Sequence, residues 1–338
     1  MVDIRILKRI LLRSNSNLAG RLAMLGFVHL DKKGIEVPGL LRVMLDMLQP
    51  VNPLRGSQDL PEIEILIPFV LKDIEMLKAC AEGAVYSSSN TVSMVRLITP
   101  YRTKQRAPKE LENATLEVRN FLREHGIPLS VEFDEDVVPE SVRNHITGLA
   151  LAPRYHGWLS AQTVKVFGAM GAESRATLIV DSDTVLTFPR VWVDGLGRQV
   201  LMIGQESRPS FFTYASEYLN IRARPRLSYI THHQMMQADI LEEIFPRPDV
   251  DIIRWIHDAG LTGPDHDSGE LRVAEYEIYG AYLDTRRPKR RVYASWGNGT
   301  GVRDADLSST LRTLIGGWAL STSFHHYKSR SNTPDEVM

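Results

Sequence analysis

The chain has 338 residues, 43% of them apolar and 24% charged, with a formal net charge of -1. That is enough apolar material for a large core, and the charge balance excludes a dedicated nucleic-acid binder with a strongly basic face. Cys80 is the single cysteine, which excludes an intrachain disulfide and a cysteine metal site and points to a reducing, cytoplasmic compartment.

Residues 1–60 stand apart from the rest. Arg5, Lys8, Arg9, Arg13 and Arg21 alternate with Ile4, Ile6, Leu7, Ile10, Leu11, Leu12 and Leu22 at roughly helical spacing. They predict a basic, helical N-terminal extension that either packs its apolar side on the main domain or lies peripherally on anionic lipid at the inner face of a membrane. No apolar run reaches the roughly 20 residues of a bilayer span, and no signal peptide is read here. The stretch "QPVNPLRGSQDLPE" (49–62) interrupts regular structure with prolines and a glycine, and the boundary is placed there.

From Glu62 onward strands and helices alternate. Strands are predicted at 63–69, 92–99 and 128–134, with helices at 71–84 and at 109–126, the latter closed by Gly126. A helix at 158–172 then leads into the strand "ATLIVDSD" (176–183). Helices between strands imply parallel pairing through crossovers. Beyond Phe188 the pieces shorten to strands at 198–204 and 227–231 and helices at 232–245 and 272–284. Residues 285–301 read as loop, 208–229 as an irregular segment whose aromatic rings could stack on a sugar, and 331–338 as a tail.

Asp181 and Asp183 are the charges that need an explanation. A strand's period of two puts both on one side, where they repel unless a cation or a hydrogen-bond network compensates them. They lie at the carboxyl end of a buried strand, the ligand-binding edge of an open α/β sheet. Paired carboxylates there suit Mn²⁺ or Mg²⁺, which would also neutralise a diphosphate leaving group. The plainer alternative is that Asp181 caps the following turn and Asp183 is simply exposed. His232 and His233 follow a predicted strand and point apart, so one could meet an acceptor or a phosphate while the other packs in the core. Glu275 and Glu277 open a helix about 200° from one another, so at most one can serve a site. Arg102, Lys104, Arg106, Lys328 and Arg330 could grip phosphate.

"LIVDSDTVL" also matches the D-x-D pattern of haloacid-dehalogenase-like phosphatases. That family carries it on its first strand, whereas three strand and helix units precede it here and no later strand ends in an adjacent acidic pair. The order of elements resembles instead the GT-A glycosyltransferases. "LIVDSDTVL", "THHQM" and "EYEIYGAYL" together resemble a bacterial GT-A-like family of unknown function, over residues 61–330. The resemblance implies an α/β, Rossmann-like mixed sheet flanked by helices. It implies a metal-dependent transfer of sugar from a nucleotide sugar, with UDP as the first nucleotide to test, to a glycan or lipid-linked acceptor in bacterial surface polysaccharide synthesis. Asp181 and Asp183 would hold Mn²⁺ or Mg²⁺ with His325 or His326. Pro68, in the "IPF" strand, and Lys328 would line the nucleotide, His232 and His233 the acceptor. Glu275, with Glu277 as the alternative, would be the base of an inverting reaction. The remaining rival is a nucleotide-sugar-binding protein without turnover.

Overall fold

Strand β1 (Ile63–Pro68) is the centre of the main sheet, and its alternation sorts the core into two layers. Ile63, Ile65 and Ile67 belong to the apolar cluster on one face, and Leu66 to the cluster on the other, as a strand buried on both sides requires. The computed structural model describes residues 53–204, 208–222, 228–260, 272–295, 298–300 and 321–323. The predicted basic helix, and with it most of the N-terminal extension, therefore lies outside the described residues. No helix among them is long and apolar enough to cross a membrane.

In chain order β1 is followed by a 3-10 turn and helix α1 (Leu77–Tyr86), β2 (Val92–Thr99), α2 (Tyr101–Arg106), α3 (Pro108–Glu124) and β3 (Leu129–Phe133). Then come α4 (Asp134–Val137), α5 (Glu140–Gly148), α6 (Pro153–Met170), β4 (Ala176–Val180) and β5 (Thr184–Leu186). The second half holds β6 (Gln199–Ile203), α7 (Pro209–Tyr218), β7 (His233–Gln237), α8 (Ala238–Ile244) and α9 (Pro248–Asp258). It continues with α10 (Glu275–Arg286), β8 (Arg291–Ser295), β9 (Asn298–Thr300) and β10 (Ser321–Ser323).

The main sheet has the order β3-β2-β1-β4-β7. β3, β2, β1 and β4 run parallel, and β7 closes the edge antiparallel to β4. This is the mixed α/β sheet flanked by helices that the alternation from Glu62 predicts. The chain winds from β1 outward to β3, then returns to the other side of β1 as β4. That reversal makes the crevice at the carboxyl ends of β1 and β4 a topological switch point.

Several segments differ from expectation for identifiable reasons. His233–Gln237 is a strand rather than the start of a helix, because it pairs rung by rung with β4, from Val180 opposite His233 to Ala176 opposite Gln237. Neighbouring Met235 and Met236 accordingly enter the cores on opposite faces. Of the run 227–231, the described residues 228–231 contribute a single bridge, Ser228 to Gly204. The aromatic segment after Arg208 is helical, with Pro209 in its first turn and Phe211, Phe212, Tyr214 and Ala215 buried, as Pro at a helix start favours. The basic run at 286–291 is not loop. It ends α10 and begins β8, and its arginines are bound to Glu243, Asp239 and Asp284.

Candidate functional site

The carboxyl end of β4 is organised by a residue from α6. This helix lies directly on the sheet because residue 168 is glycine: a Cβ there would stand 2.3 Å from Leu66 Cδ1. One turn earlier, Lys165 sits in a stretch buried without a break from Gln162 to Ala169. Its ammonium lies 2.6 Å from Asp181 Oδ1 and 2.8 Å from Glu275 Oε1, and 4.3 Å from the centre of the Tyr276 ring, within cation–π range. The Tyr276 hydroxyl donates to Asp181 Oδ1 at 3.0 Å, and His232 Nδ1 is 3.2 Å from Asp181 Oδ2. The Glu275 backbone N–H donates to Gln162 Oε1 at 3.1 Å.

Lys165 therefore neutralises Asp181, with His232 and Tyr276 hydrogen-bonded beside it. Burial alone would raise its pKa, but Lys165 and then His232 outweigh burial and hold the carboxylate well below the usual range. For Lys165 burial favours the neutral amine, and Asp181 and Glu275 together reverse that. At Glu275 burial prevails over Lys165, and its pKa is raised. The cluster thus has one firmly ionised carboxylate, one ammonium, and a second carboxylate that holds its charge less readily.

Asp183 lies two residues on from this cluster and acts on the Tyr276 hydroxyl through its charge. Its Oδ1 accepts from the Thr184 hydroxyl at 3.4 Å. Between the two aspartates, Ser182 donates to the buried Asp73 at 3.2 Å, which ties the end of β4 to the segment after β1. Cys80 donates to the Asp181 carbonyl. Its thiol is pushed well up by burial, with Asp183, Asp181 and Asp73 adding to the effect, so it stays protonated.

The histidines and glutamates separate as adjacent or near-adjacent residues must. His232 has a left-handed backbone with φ of 57°, a conformation histidine adopts more readily than most residues other than glycine, and turns to Asp181. His233 is fully buried, edge-on to Trp192 at 5.6 Å, and its pKa falls to about 3 through burial and the nearby Arg190. Its expected acceptor contact is corrected: it is a neutral core residue. Glu275 faces the Asp181 cluster. Glu277 turns to the other side, where it accepts from the Tyr229 backbone N–H at 3.1 Å. It lines a small cavity whose other residues include Phe212, Arg222, Tyr229, Ala281 and Thr285, and burial pushes its pKa up to about 8.

Pro68 ends β1 opposite Ile98 of β2. Past these two strand ends opens a cleft of about 230 Å³ whose lining includes Lys72, Arg102 and Arg106 with Val70, Pro100 and Thr103. Arg102 and Arg106 are one helical turn apart on α2, and neither forms an ion pair among the described residues. Lys104 is not part of the cleft; it lies over the rings of Tyr101 and Phe133.

A divalent ion gripped by a D-x-D pair needs open oxygens on both carboxylates. Asp181 offers only part of one: Oδ1 is taken by Lys165 and Tyr276, and Oδ2 already faces His232 at 3.2 Å. The pair as arranged does not fit a two-aspartate metal clamp, and the same occupancy disfavours Asp181 as a phosphatase nucleophile. Among the described residues no group of three or more His, Cys, Asp or Glu could hold a metal. His325, His326 and Lys328 lie outside the described residues.

Lys165, Tyr276, Gln162 and Asp73 are the members of this site that sequence reasoning missed. One signal was available: "TVKVFGA" sets a single lysine among apolar neighbours in a helix, and lysine is almost never buried without a partner.

No protein-family model matches the chain, and no curated protein matches it. Among solved structures it is similar to the galactosyltransferase LgtC in complex with donor and acceptor sugar analogs, at 12% identity and a TM-score of 0.43, over 77% of this chain and 86% of that one. It is similar also to an active-site mutant of LgtC, at 11% identity and a TM-score of 0.43 over the same shares. Likeness at this level leaves activity to be argued from the site itself.

Proposed function

We propose that the chain is a glycosyltransferase of GT-A type that moves a sugar from a nucleotide sugar to a hydroxyl of a glycan or lipid-linked acceptor. The observation that carries this is the arrangement along one sheet edge: a D-x-D at the end of β4, at the switch point beside β1, next to a cleft bordered by Lys72, Arg102 and Arg106. A nucleotide sugar has a matching distribution of charge. Its diphosphate suits guanidinium groups, which bind phosphate through charge-assisted hydrogen bonds, and cations held in place stabilise the charge that develops on a departing diphosphate.

In this mechanism the cluster at β4 is a rigid wall. Lys165 fixes the carboxylate of Asp181, and Asp181 in turn orients the His232 ring from Nδ1, which places an imidazole beside the D-x-D to meet the acceptor. Glu275 lies on the Asp181 side, where the base of an inverting transfer is sought. Its carboxylate is bound to Lys165 and only 2% exposed, so we assign it the part of holding the ammonium. Whether configuration is inverted is then read from the product.

The test is a panel of nucleotide sugars, UDP-sugars first, against the full chain by thermal shift and donor hydrolysis. One nucleotide sugar should raise the melting temperature, because a ligand that binds only the native state stabilises it, and should be cleaved to the nucleoside diphosphate. Stabilisation by none of them, together with phosphate release from simple phosphomonoesters, would overturn the proposal in favour of a phosphatase. Tight binding without cleavage in the presence of diverse glycans would make it a binding protein.

A further inference from the structure

We infer that Lys165 takes the place of a divalent ion at the end of β4: Asp181 is the partner of a built-in ammonium group, shared with Glu275, and is not a metal ligand. This rests on the proposed function only in that a nucleotide-sugar donor raises the question of a metal.

An ammonium group has three N–H bonds. Lys165 directs them into a pocket with Asp181 Oδ1 at 2.6 Å, Glu275 Oε1 at 2.8 Å and the face of the Tyr276 ring, so it is fully engaged. Asp181 is held on both oxygens, with Tyr276 on the same oxygen as Lys165 and His232 against the other. Its backbone is fixed as well. The Asp181 N–H donates to the His232 carbonyl at 2.9 Å, and the Asp181 carbonyl accepts from the Thr184 N–H at 2.9 Å. For Asp181 to ligate a metal through Oδ1, Lys165 would have to withdraw, and the helix holds it in place: residues 162–169 are buried, and the Gly168 contact with Leu66 seats α6 on the sheet. If it stayed, a doubly charged ion would share a carboxylate with an ammonium group, and the like charges would repel. Lys165 is thus a positioning residue that acts through Asp181.

The experiment measures Mn²⁺ bound to the full chain by electron paramagnetic resonance, with and without UDP, in the unaltered protein, Asp181→Asn and Lys165→Met. Asp181→Asn should change Mn²⁺ affinity less than about twofold. Lys165→Met frees the oxygens of Asp181 and should raise Mn²⁺ affinity at least about tenfold, as expected when carboxylate ligands are added to a site. Should either variant fail to fold, nitrogen-15 NMR of the unaltered protein decides. The exchange-protected ammonium signal of Lys165 should persist when Mg²⁺ and UDP are added. Loss of that signal, or a folded Asp181→Asn variant that binds Mn²⁺ about tenfold more weakly, overturns the inference. None of these readings requires sugar transfer, so failure of the proposed activity and failure of this inference remain distinguishable.

Discussion

Two stretches of the same sheet edge carry charge in opposite ways. At the end of β4, Asp181, Glu275 and Lys165 are answered inside the protein, with His232 and Tyr276 completing the set. At the ends of β1 and β2, Arg102 and Arg106 face an open cleft without ion-pair partners among the described residues. Internal compensation fixes geometry. Like charges stacked one helical turn apart are mildly destabilising, and an arrangement of that kind is relieved when an anion arrives. The first region is therefore expected to govern folding and shape, the second binding.

Lys165→Met gives the largest effect on this comparison. It leaves the buried Glu275 and the half-buried Asp181 without their common cation, and removing one member of a buried ion pair costs about 3–5 kcal/mol. Urea denaturation should show that loss, and a change under about 1 kcal/mol would mean the cluster is not the internal keystone described here.

The cleft should behave in the reverse manner. The double variant Arg102→Ala, Arg106→Ala should weaken binding of a nucleoside diphosphate by about 1.5–3 kcal/mol for each hydrogen bond to a charged group that is lost, with the melting temperature of the free protein nearly unchanged. Lys104→Ala on the same helix is the control and should leave affinity intact. Calorimetry that finds equal losses in both would show only a diffuse surface field.

A pH dependence sharpens the contrast between the two glutamates of α10. Glu277 forms no ion pair among the described residues, and its folded pKa near 8 lies above the ordinary carboxyl value of about 4.3. The folded state therefore binds more protons than the unfolded chain between those values. Its contribution is fully present below the unfolded pKa and is lost as pH rises through 8, at up to about 1.4 kcal/mol per pH unit. Glu277→Gln stays neutral and should lose less stability between pH 5 and 8 than the unaltered protein does. Parallel pH profiles in thermal melts would refute the buried, unpaired state of Glu277.

The central sheet was legible because its signals are local. "IEILIP", "VSMVRLIT" and "ATLIV" are short apolar runs with helical stretches between them, and Asp181 and Asp183 stand out at the end of the last. His233–Gln237 was not legible as a strand: "HQMMQ" has little strand propensity, and only its pairing with β4 makes it one. Lys165 was hidden for a related reason. A helix pattern shows which side is apolar, but not that a lysine on it will meet two carboxylates from other parts of the chain. The separation of Glu275 from Glu277 follows from helix geometry. Which of them faces Asp181 depends on how α10 packs.

The contacts that complete this cluster have a consequence for how the protein is made. Lys165 and Glu275 are 110 positions apart, Tyr276 and Asp181 95, and His232 and Asp181 51. Contacts of such separation form late, after the entropy of closing the intervening loops has been met. While β1 to β4 assemble during synthesis, Asp181 has Lys165 but neither His232 nor Tyr276, and Lys165 has only one of its two carboxylates. Arrival of β7 and then α10 brings the missing groups, so the site closes only when nearly the whole sheet has been built, and a chain that stops short of Glu275 leaves that ammonium half-matched.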